Sequence, residues 1–404
     1  MAEQRTLLDL WQSSQDWDLT SQDHTSDVLY EGKRRVLGSS SVSARRLRNR
    51  HWMLNAESGM STADQTLSRI VLSRLSRPRR FLDVGKFRSL EFDLVGCLLA
   101  CAHWSDPVVS LYSFDDFSQH QRFDLVMECA MTPVSIAAAK WSKTNQSQLL
   151  VSALNHNRIQ LYDLEGDVVV LDLNAGSCLY GSVHGRAGIA DFQMSCDGHL
   201  IAGGTRTSSV LLWDLRQRNE ALSLDAMKRI DDKQTSGDMN SVSFSGDSQL
   251  LFSICANGSM QCFDVRYSPV HVMRSSIRPE AMHSSIEMFE SILTDDGLVS
   301  LWCDGTVTCF DLCQQRSVTL LNGSAQASLV RSRTLSMHSR FNLLSFAQHD
   351  KMLVFQPMNS HVPSSLTTLD SMISCSTFHV TDPFLVCASK DGSLNCFEAG
   401  RIVE

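Results

Sequence analysis

The stretch VLLWDLRQ, Val210 to Gln217, is answered fifty residues further along the chain by MQCFDVRY, Met260 to Tyr267. Each stretch alternates apolar residues up to an aromatic residue, then continues with an Asp, an apolar residue and an Arg. A pattern that returns at a fixed interval is the signature of a repeat architecture. The repeat along the chain, and not either stretch alone, therefore predicts the fold.

The aromatic residue of this pattern recurs along most of the chain. It is Tyr112, Tyr162, Trp213, Phe263, Phe310, Phe355 and Phe397, at intervals of 50, 51, 50, 47, 45 and 42 residues. An acidic residue follows five of the seven, at Asp163, Asp214, Asp264, Asp311 and Glu398. The residue before the aromatic is Leu, Val or Cys, so Cys262, Cys309 and Cys396 are predicted to be small apolar residues at one equivalent strand position.

Further apolar runs and turn signals lie between the aromatic residues. QLLFSIC and FLVCAS are two of the runs, and Asn257-Gly258, Asp304-Gly305 and Asp391-Gly392 are dipeptides that supply positive φ in two-residue hairpins. We therefore predict about four short antiparallel strands in each repeat.

Residues 81–404 resemble the WD-repeat family, and HLIAGGTRTSSVLLWDLR, His199 to Arg216, is the best-matching repeat. The resemblance implies an all-β, seven-bladed WD-repeat β-propeller in which an inner-strand aromatic packs between blades. The Gly-His pair of the family is nearly absent, so packing is expected to hold most blades. The ring is expected to close either through RRFLDVGKF, Arg79 to Phe87, or through the terminal GRIVE.

Charge is strongly segregated before the repeats, although the net charge is only -8. Residues 1–31 carry seven acids and one Arg, whereas residues 33–80 carry twelve Lys and Arg against two acids. Such blocks are typical of tails and contact segments. We therefore divide the chain into an acidic flexible tail with a docking motif (1–32), a basic linker or arm (33–80), and the propeller (81–404).

The two Arg residues of the opening stretches are additions to the repeat. Within the WD-repeat family, a Trp-Asp-x-Arg ending in consecutive repeats implies docking on the damage-specific DNA-binding adaptor of cullin-RING ubiquitin ligases. The residues assigned to this contact are Trp213, Asp214, Arg216, Phe263, Asp264 and Arg266. An Arg offers a planar donor fork to carbonyls or carboxylates of a partner. The alternative is a salt bridge within the chain to a neighbouring Asp.

The amino-terminal stretch EQRTLLDLWQ, Glu3 to Gln12, partly resembles the peptide that binds replication sliding clamps. The matching residues are Gln4, Leu7, Leu10 and Trp11. The same apolar residues also fit docking on another protein, or packing on the propeller itself.

The basic stretch KRRVLGSSSVSARRLRNR, Lys33 to Arg50, has no acidic residue. Its positive charges are Lys33, Arg34, Arg35, Arg45, Arg46, Arg48 and Arg50. Three uses are open: a nuclear import signal, weak contact with nucleic-acid phosphates, and a solvated linker that balances the acidic tail.

The sequence offers little support for catalysis. It has no phosphate loop, nucleophile elbow or metal-spaced His pair, and the cluster of Cys303, Cys309 and Cys313 has no His nearby. We expect no cofactor, no metal and no membrane contact, because no apolar run is long enough to cross a bilayer.

The expected function is that of a non-enzymatic adaptor with protein partners, in the nucleus or also in the cytoplasm. Its most concrete form is a substrate receptor of a nuclear cullin-RING ubiquitin ligase linked to DNA repair or replication. The alternative is a non-catalytic scaffold subunit of another nuclear multiprotein complex. The fold cannot choose between these two, because function resides in sites grafted onto a fold.

Overall fold

The structure is a computed structural model of the 404-residue chain. It describes residues 71, 75, 78–81, 84–114, 123–131, 135–153, 156, 158–174, 188–206, 209–216, 222–224, 239–266, 271–294, 297–323, 334–338, 341–348, 350–355 and 364–399. The acidic tail 1–32, most of the basic segment 33–80, and the terminal GRIVE lie outside these residues.

The described residues form seven sheets of four strands each, which we number as blades in chain order. Blade 1 contains β2 (Phe87–Phe92), β3 (Leu98–His103), β4 (Val108–Ser113) and β5 (Asp124–Ala130). Blade 2 contains β6 (Ile136–Trp141), β7 (Gln148–Ala153), β8 (Arg158–Asp163) and β9 (Val168–Asn174). Blade 3 contains β10 (Ile189–Met194), β11 (Leu200–Thr205), β12 (Val210–Asp214) and β13 (Leu222–Leu224).

The remaining blades follow the same plan. Blade 4 contains β14 (Met239–Phe244), β15 (Leu250–Cys255), β16 (Ser259–Asp264) and β17 (His271–Ser276). Blade 5 contains β18 (Met288–Thr294), β19 (Gly297–Trp302), β20 (Val307–Asp311) and β21 (Arg316–Leu321). Blade 6 contains β22 (Ser336–His338), β23 (Leu343–Gln348), β24 (Lys351–Phe355) and β25 (Ser364–Thr368). Blade 7 contains β26 (Ile373–Phe378), β27 (Phe384–Ser389), β28 (Leu394–Glu398) and β1 (Pro78–Phe81).

Neighbouring strands of every blade are antiparallel, and in six of the seven pairs of adjacent blades the first strand contacts the first strand of the neighbour. These first strands therefore form the inner wall of a ring. The prediction of an all-β, seven-bladed β-propeller is confirmed. Turns that begin with an Asn-Gly or Asp-Gly pair have the expected positive φ, as at Gly258 (82°) and Gly392 (93°).

Apolar side chains fill each of the seven junctions between blades. Trp213 packs into the junction with blade 2, whereas Leu212, on the opposite face of β12, packs into the junction with blade 4. Phe263 and Cys262 divide in the same way between the junctions on either side of blade 4. This alternation follows from the two-residue period of a strand. It confirms that Cys262 takes the place of an apolar residue in the repeat.

One detail of the prediction is wrong. The repeated aromatic residue packs between blades as expected, but it lies on the third strand of each sheet and not on the inner strand. Trp213, for example, pairs with Ile201 of β11, and β10 separates β11 from the channel. Which strand of the sheet carries the aromatic residue depends on how the strands pair, whereas the spacing of the repeat gives only the interval between equivalent strands.

Strand β1 closes the ring as the outer strand of blade 7. It pairs antiparallel with β28, from Pro78 opposite Phe397 to Phe81 opposite Leu394. Three ion pairs support the closure: Arg79 pairs with Glu398, and Arg80 pairs with Asp370 and, at 2.8 Å, with Asp391. The stretch Arg79 to Phe87, one of the two proposed for closure, therefore belongs to two blades. Arg79 lies in the closing strand β1, whereas Phe87 begins the inner strand of blade 1.

The part of the chain that packs into the propeller begins before residue 81. Val71 and Leu75 are fully buried in the junction between blades 6 and 7, beside Phe341 and Phe397. The Leu75 amide donates a hydrogen bond to the Val71 carbonyl at 3.1 Å, so the two side chains lie on one side of a single turn. These two residues of the segment 33–80 therefore supply core packing, and the division of the chain into tail, arm and propeller stays a prediction.

We expect Leu75→Ala to lower the free energy of unfolding by about 2–5 kcal/mol, because it opens a cavity in a filled junction. Leu94→Ala is the matched control, since Leu94 is 39% exposed and its truncation should cost less than about 1 kcal/mol. Chemical denaturation of the full chain measures both. Equal midpoints would place Leu75 outside the core.

Candidate functional site

The candidate site consists of two identical Asp-Arg pairs at the same end of blades 3 and 4. Arg216 donates from Nε to Asp214 Oδ1 at 2.9 Å and from Nη2 to Oδ2 at 2.7 Å. Arg266 makes the same two bonds to Asp264, at 2.9 and 2.7 Å. In both blades the carboxylate also accepts the backbone N–H of the Arg at 3.0 Å. The repeat therefore fixes each guanidinium in one orientation.

The neighbouring turns show why the two pairs are alike. Before β11, Ser195 donates to Asp197 at 2.5 Å, and before β15 Ser245 donates to Asp247 at 2.5 Å. Ser248 then accepts the backbone N–H of residue 196 at 2.8 Å, which joins the turn of blade 4 directly to that of blade 3. The two Arg residues consequently lie on one face of the propeller, in adjacent blades.

Both guanidinium groups remain accessible despite their ion pairs. The Arg216 side chain is 62% exposed and that of Arg266 is 41% exposed, whereas their Asp partners are largely buried. The side-chain hydrogen bond from Arg216 lowers the pKa of Asp214, so this carboxylate stays ionised well below neutral pH. Asp214 in turn raises the pKa of Arg216. The salt bridge considered as an alternative is present, and it holds the Arg side chains at the surface.

The structure divides the six residues assigned to the contact into two groups. Trp213 and Phe263 are 4% and 1% exposed and belong to the core, so they cannot touch a partner. Asp214 and Asp264 orient the guanidinium groups, so of these six residues only Arg216 and Arg266 offer side-chain donors to a partner. In blade 5 the equivalent Asp311 accepts the backbone N–H groups of residues 313 and 314 instead, which fits the absence of an Arg there.

The central channel is the second candidate. It encloses a cavity of about 320 Å³ lined by inner-strand residues of all seven blades, including Glu91, Lys140, Asp191 and Glu290. These residues are not among the sites predicted from the sequence. The signal that could have found them is the recurrence of polar residues in the first strand of each repeat, since Lys140 and Asp191 are 51 residues apart.

The polar groups of the channel connect neighbouring blades. Glu91 accepts the Trp141 backbone N–H at 3.1 Å, and Asp191 accepts that of Val242 at 3.1 Å. Lys140 donates to Asp191 at 2.9 Å and to a backbone carbonyl of blade 3 at 2.7 Å. Glu290 accepts two backbone N–H groups at the start of blade 6, each at 3.0 Å. These residues are therefore already used in holding the ring together.

The other predicted contact residues lie outside the described part of the chain. They are Gln4, Leu7, Leu10 and Trp11 of the amino-terminal motif, and Lys33, Arg34, Arg35, Arg45, Arg46, Arg48 and Arg50 of the basic stretch. Within the described residues, no group of three or more His, Cys, Asp and Glu side chains is arranged to hold a metal ion. Nor does any helix among them have the length and apolar character to cross a membrane.

Comparison with known proteins extends the fold assignment. No family model matches the chain, and a search of curated proteins gives no match. Among solved structures, the β-propeller domain of Cps50 (Swd1) from Myceliophteria thermophila superposes with a TM-score of 0.63 and 12% identity. The superposition covers 78% of this chain and 97% of that domain. At this identity the similarity concerns the fold alone.

We expect Trp213→Phe to be tolerated better than Trp302→Phe. Trp213 Nε1 is buried with no hydrogen-bond partner among the described residues, and Gly203 leaves room for the ring, since a Cβ there would come within 3.0 Å of it. Trp302 Nε1 instead donates to Thr308 Oγ1 at 2.9 Å.

The Trp302 variant should therefore be the less stable of the two by about 1 kcal/mol or more, because it leaves Thr308 without its donor. Denaturant titration of both variants provides the comparison. A larger loss for Trp213→Phe would mean that its indole N–H has an acceptor.

Glu91 is expected to make the stability of the folded protein depend on pH. Burial raises its pKa above the ordinary value of 4.5, although Lys143 and Lys140 oppose the shift. A carboxyl group whose pKa is raised in the folded state lowers the stability of the folded protein as pH rises from about 4.5 through that raised pKa.

Glu91→Gln removes this titration and keeps an acceptor for Trp141. The melting temperature of the variant relative to wild type should therefore improve as pH rises above 4.5. Thermal melts across the range measure it, and parallel curves for the two proteins would contradict the assignment.

Proposed function

We propose that this seven-bladed β-propeller is a non-enzymatic interaction adaptor, and that the face carrying Arg216 and Arg266 docks on the adaptor subunit of a cullin-RING ubiquitin ligase. The observation that supports this is the repetition of one exposed, oriented guanidinium in adjacent blades. The chain would then act as a substrate receptor.

The geometry favours a contact with an acceptor-rich partner surface. Each Asp accepts hydrogen bonds from Nε and Nη2 of its Arg, while the Arg216 and Arg266 side chains stay 62% and 41% exposed. Orienting a long side chain before binding reduces the entropy lost on association. An Arg so placed suits carbonyl and carboxylate acceptors.

Charge around the pairs also bears on partner choice. Asp197, beside Arg216, has a lowered pKa because hydrogen bonds from Ser195 and the His199 backbone N–H outweigh its burial. The site therefore combines fixed carboxylates with fixed guanidinium groups. A surface with both charges selects its partner and fixes the alignment of the two proteins, and it attracts other charged molecules less.

The remaining parts of the proposal concern the segments before the propeller. Residues Lys33 to Arg50 would supply a nuclear address or weak contact with nucleic acid, and the protein would then act in the nucleus, or also in the cytoplasm. The motif containing Leu7 and Trp11 would bind a substrate or a sliding clamp, and this links the ligase to DNA repair or replication. These roles rest on the sequence resemblance.

A non-enzymatic role is consistent with the state of the cysteines. Burial raises the pKa of Cys375 to about 12, and burial likewise raises that of Cys387. The thiolate is the nucleophilic form of cysteine, so neither residue is activated at neutral pH.

A second candidate is a scaffold in another nuclear complex, which a separate observation favours. Leu94, Val95 and Val380 are 39–49% exposed in turns at the junction of blades 7 and 1. His379 joins these turns, because its Nε2 donates to the Gly96 carbonyl at 2.9 Å. The contact proposed at Arg216 leaves this apolar group unused.

The test replaces both Arg residues by Glu in the full chain. We expect Arg216→Glu with Arg266→Glu to abolish capture of the ligase adaptor from purified components, because each reversed charge faces acceptors on the partner. Each single Arg→Ala variant should weaken binding at least about tenfold if the Arg is a central contact. Calorimetry or surface plasmon resonance measures the affinities.

The matched control is Arg206→Glu with Arg274→Glu, which makes the same charge change in the same two blades. Arg206 follows β11 at the opposite end of blade 3, and Arg274 lies on the outer strand of blade 4. This variant should bind normally. Wild-type binding by the first double variant would refute the docking assignment, and its unfolding would show that the Arg residues are structural.

A further inference from the structure

We propose that the basic stretch Lys33 to Arg50 docks within its own chain on the outer edges of blades 1 and 2. These edges are formed by β5 and β9, and we refer to them together as the acidic edge. The proposal is independent of the ligase contact, which lies on blades 3 and 4.

Besides its acidic residues, the acidic edge exposes several large apolar side chains. Each of its two strands ends its sheet, and no described strand pairs with its outer side. The exposed large apolar side chains here are Leu125 (51%), Val126 (59%), Val168 (49%), Val169 (39%) and Val170 (48%). Long apolar edge strands invite pairing with another extended segment. An occupant with apolar residues and an extended backbone therefore fits.

The charge of the same surface indicates a basic occupant. Strand β5 carries Asp124 and Glu128, and the hairpin from β8 to β9 carries Asp163, Glu165, Asp167 and Asp172. Arg158 is the one cation among these described strands and their hairpin, and it already forms an ion pair with Asp172. The surface repels nucleic acid and attracts Lys and Arg.

Residues 33–50 have the complementary composition. The stretch has seven Lys and Arg, no acid, and the apolar residues Val36, Leu37, Val42 and Leu47 between its charged groups. A basic segment with interspersed branched apolar residues satisfies both requirements of the acidic edge, because it brings opposite charge and side chains suited to strand pairing.

The outer strand of blade 7, β1, ends beside this surface. Phe81, at the end of β1, packs edge to face on Phe123 with ring centroids 4.9 Å apart, and Phe123 immediately precedes β5. Val71 is held in the junction of blades 6 and 7, and the residues between Arg50 and Val71 can span roughly 70 Å when extended. A compact domain of this size has a radius of gyration of roughly 20 Å, so the basic stretch can reach both blades.

Docking would have a consequence for the roles proposed for these residues. A segment paired on the acidic edge has its Lys and Arg neutralised by carboxylates. It is then not available to an import receptor or to phosphates until it is released. Because exposed charge pairs are screened by salt, release should increase with ionic strength.

The experiment measures backbone hydrogen exchange in the full chain. In wild type at low salt, the β5 and β9 amides should exchange at least about tenfold more slowly than in a variant with Arg34→Glu, Arg35→Glu, Arg45→Glu and Arg46→Glu. The matched control replaces the same four Arg residues by Lys, which keeps the charge and should keep the protection. Strand β21, the outer strand of blade 5, serves as an internal reference and should not change.

A zero-length amine-to-carboxylate crosslinker identifies the occupant, because Lys33 is the single Lys of the stretch. Docking within one chain should yield Lys33 crosslinks to carboxylates of the acidic edge in the monomer. In a mixture of isotope-labelled and unlabelled chains, crosslinks between copies would show that a second copy covers the edge, which overturns the proposal. Equal exchange of β5 and β9 in wild type and the Arg→Glu variant would also overturn it.

Discussion

Every blade of this protein is a sheet that is apolar on both faces, and the rest of the structure depends on burying both. A single four-stranded sheet of this kind would leave one face in water, so each blade is stable only between two neighbours. The ring satisfies all seven blades at once, provided that it closes. Closure explains why β1 pairs with β28, and why Val71 and Leu75 fill the junction of blades 6 and 7.

Hydrogen bonds along the channel add a second, directional connection between the blades. Glu91, Asp191 and Glu290 each accept backbone N–H groups from the next blade. This pattern joins neighbouring blades near the axis. It also explains the polar lining of the cavity without requiring a ligand.

The surface features are additions to this framework. The buried Trp213 and Phe263 repeat because the blades must pack, whereas Arg216 and Arg266 are not members of the apolar clusters that fill the junctions. Their orientation by the strand-ending Asp uses a residue that the repeat already provides. The apolar and acidic outer strands of blades 1 and 2 are a separate departure from the repeat, since packing against other blades does not require apolar residues at the outermost strand.

The sequence by itself determined the number of blades, their strands and the position of Cys262, because the spacing and two-residue alternation of apolar residues depend only on local geometry. It also identified Arg216 and Arg266 as additions to the repeat. Tertiary structure alone decided that the aromatic residue lies on the third strand, that β1 closes the ring, and that the two Arg residues share a face. It also decided that Glu91 and Lys140 form hydrogen bonds with neighbouring blades. The physical reason is that these facts depend on contacts between segments far apart in the chain, and local periodicity carries no information about which distant segment a residue will meet.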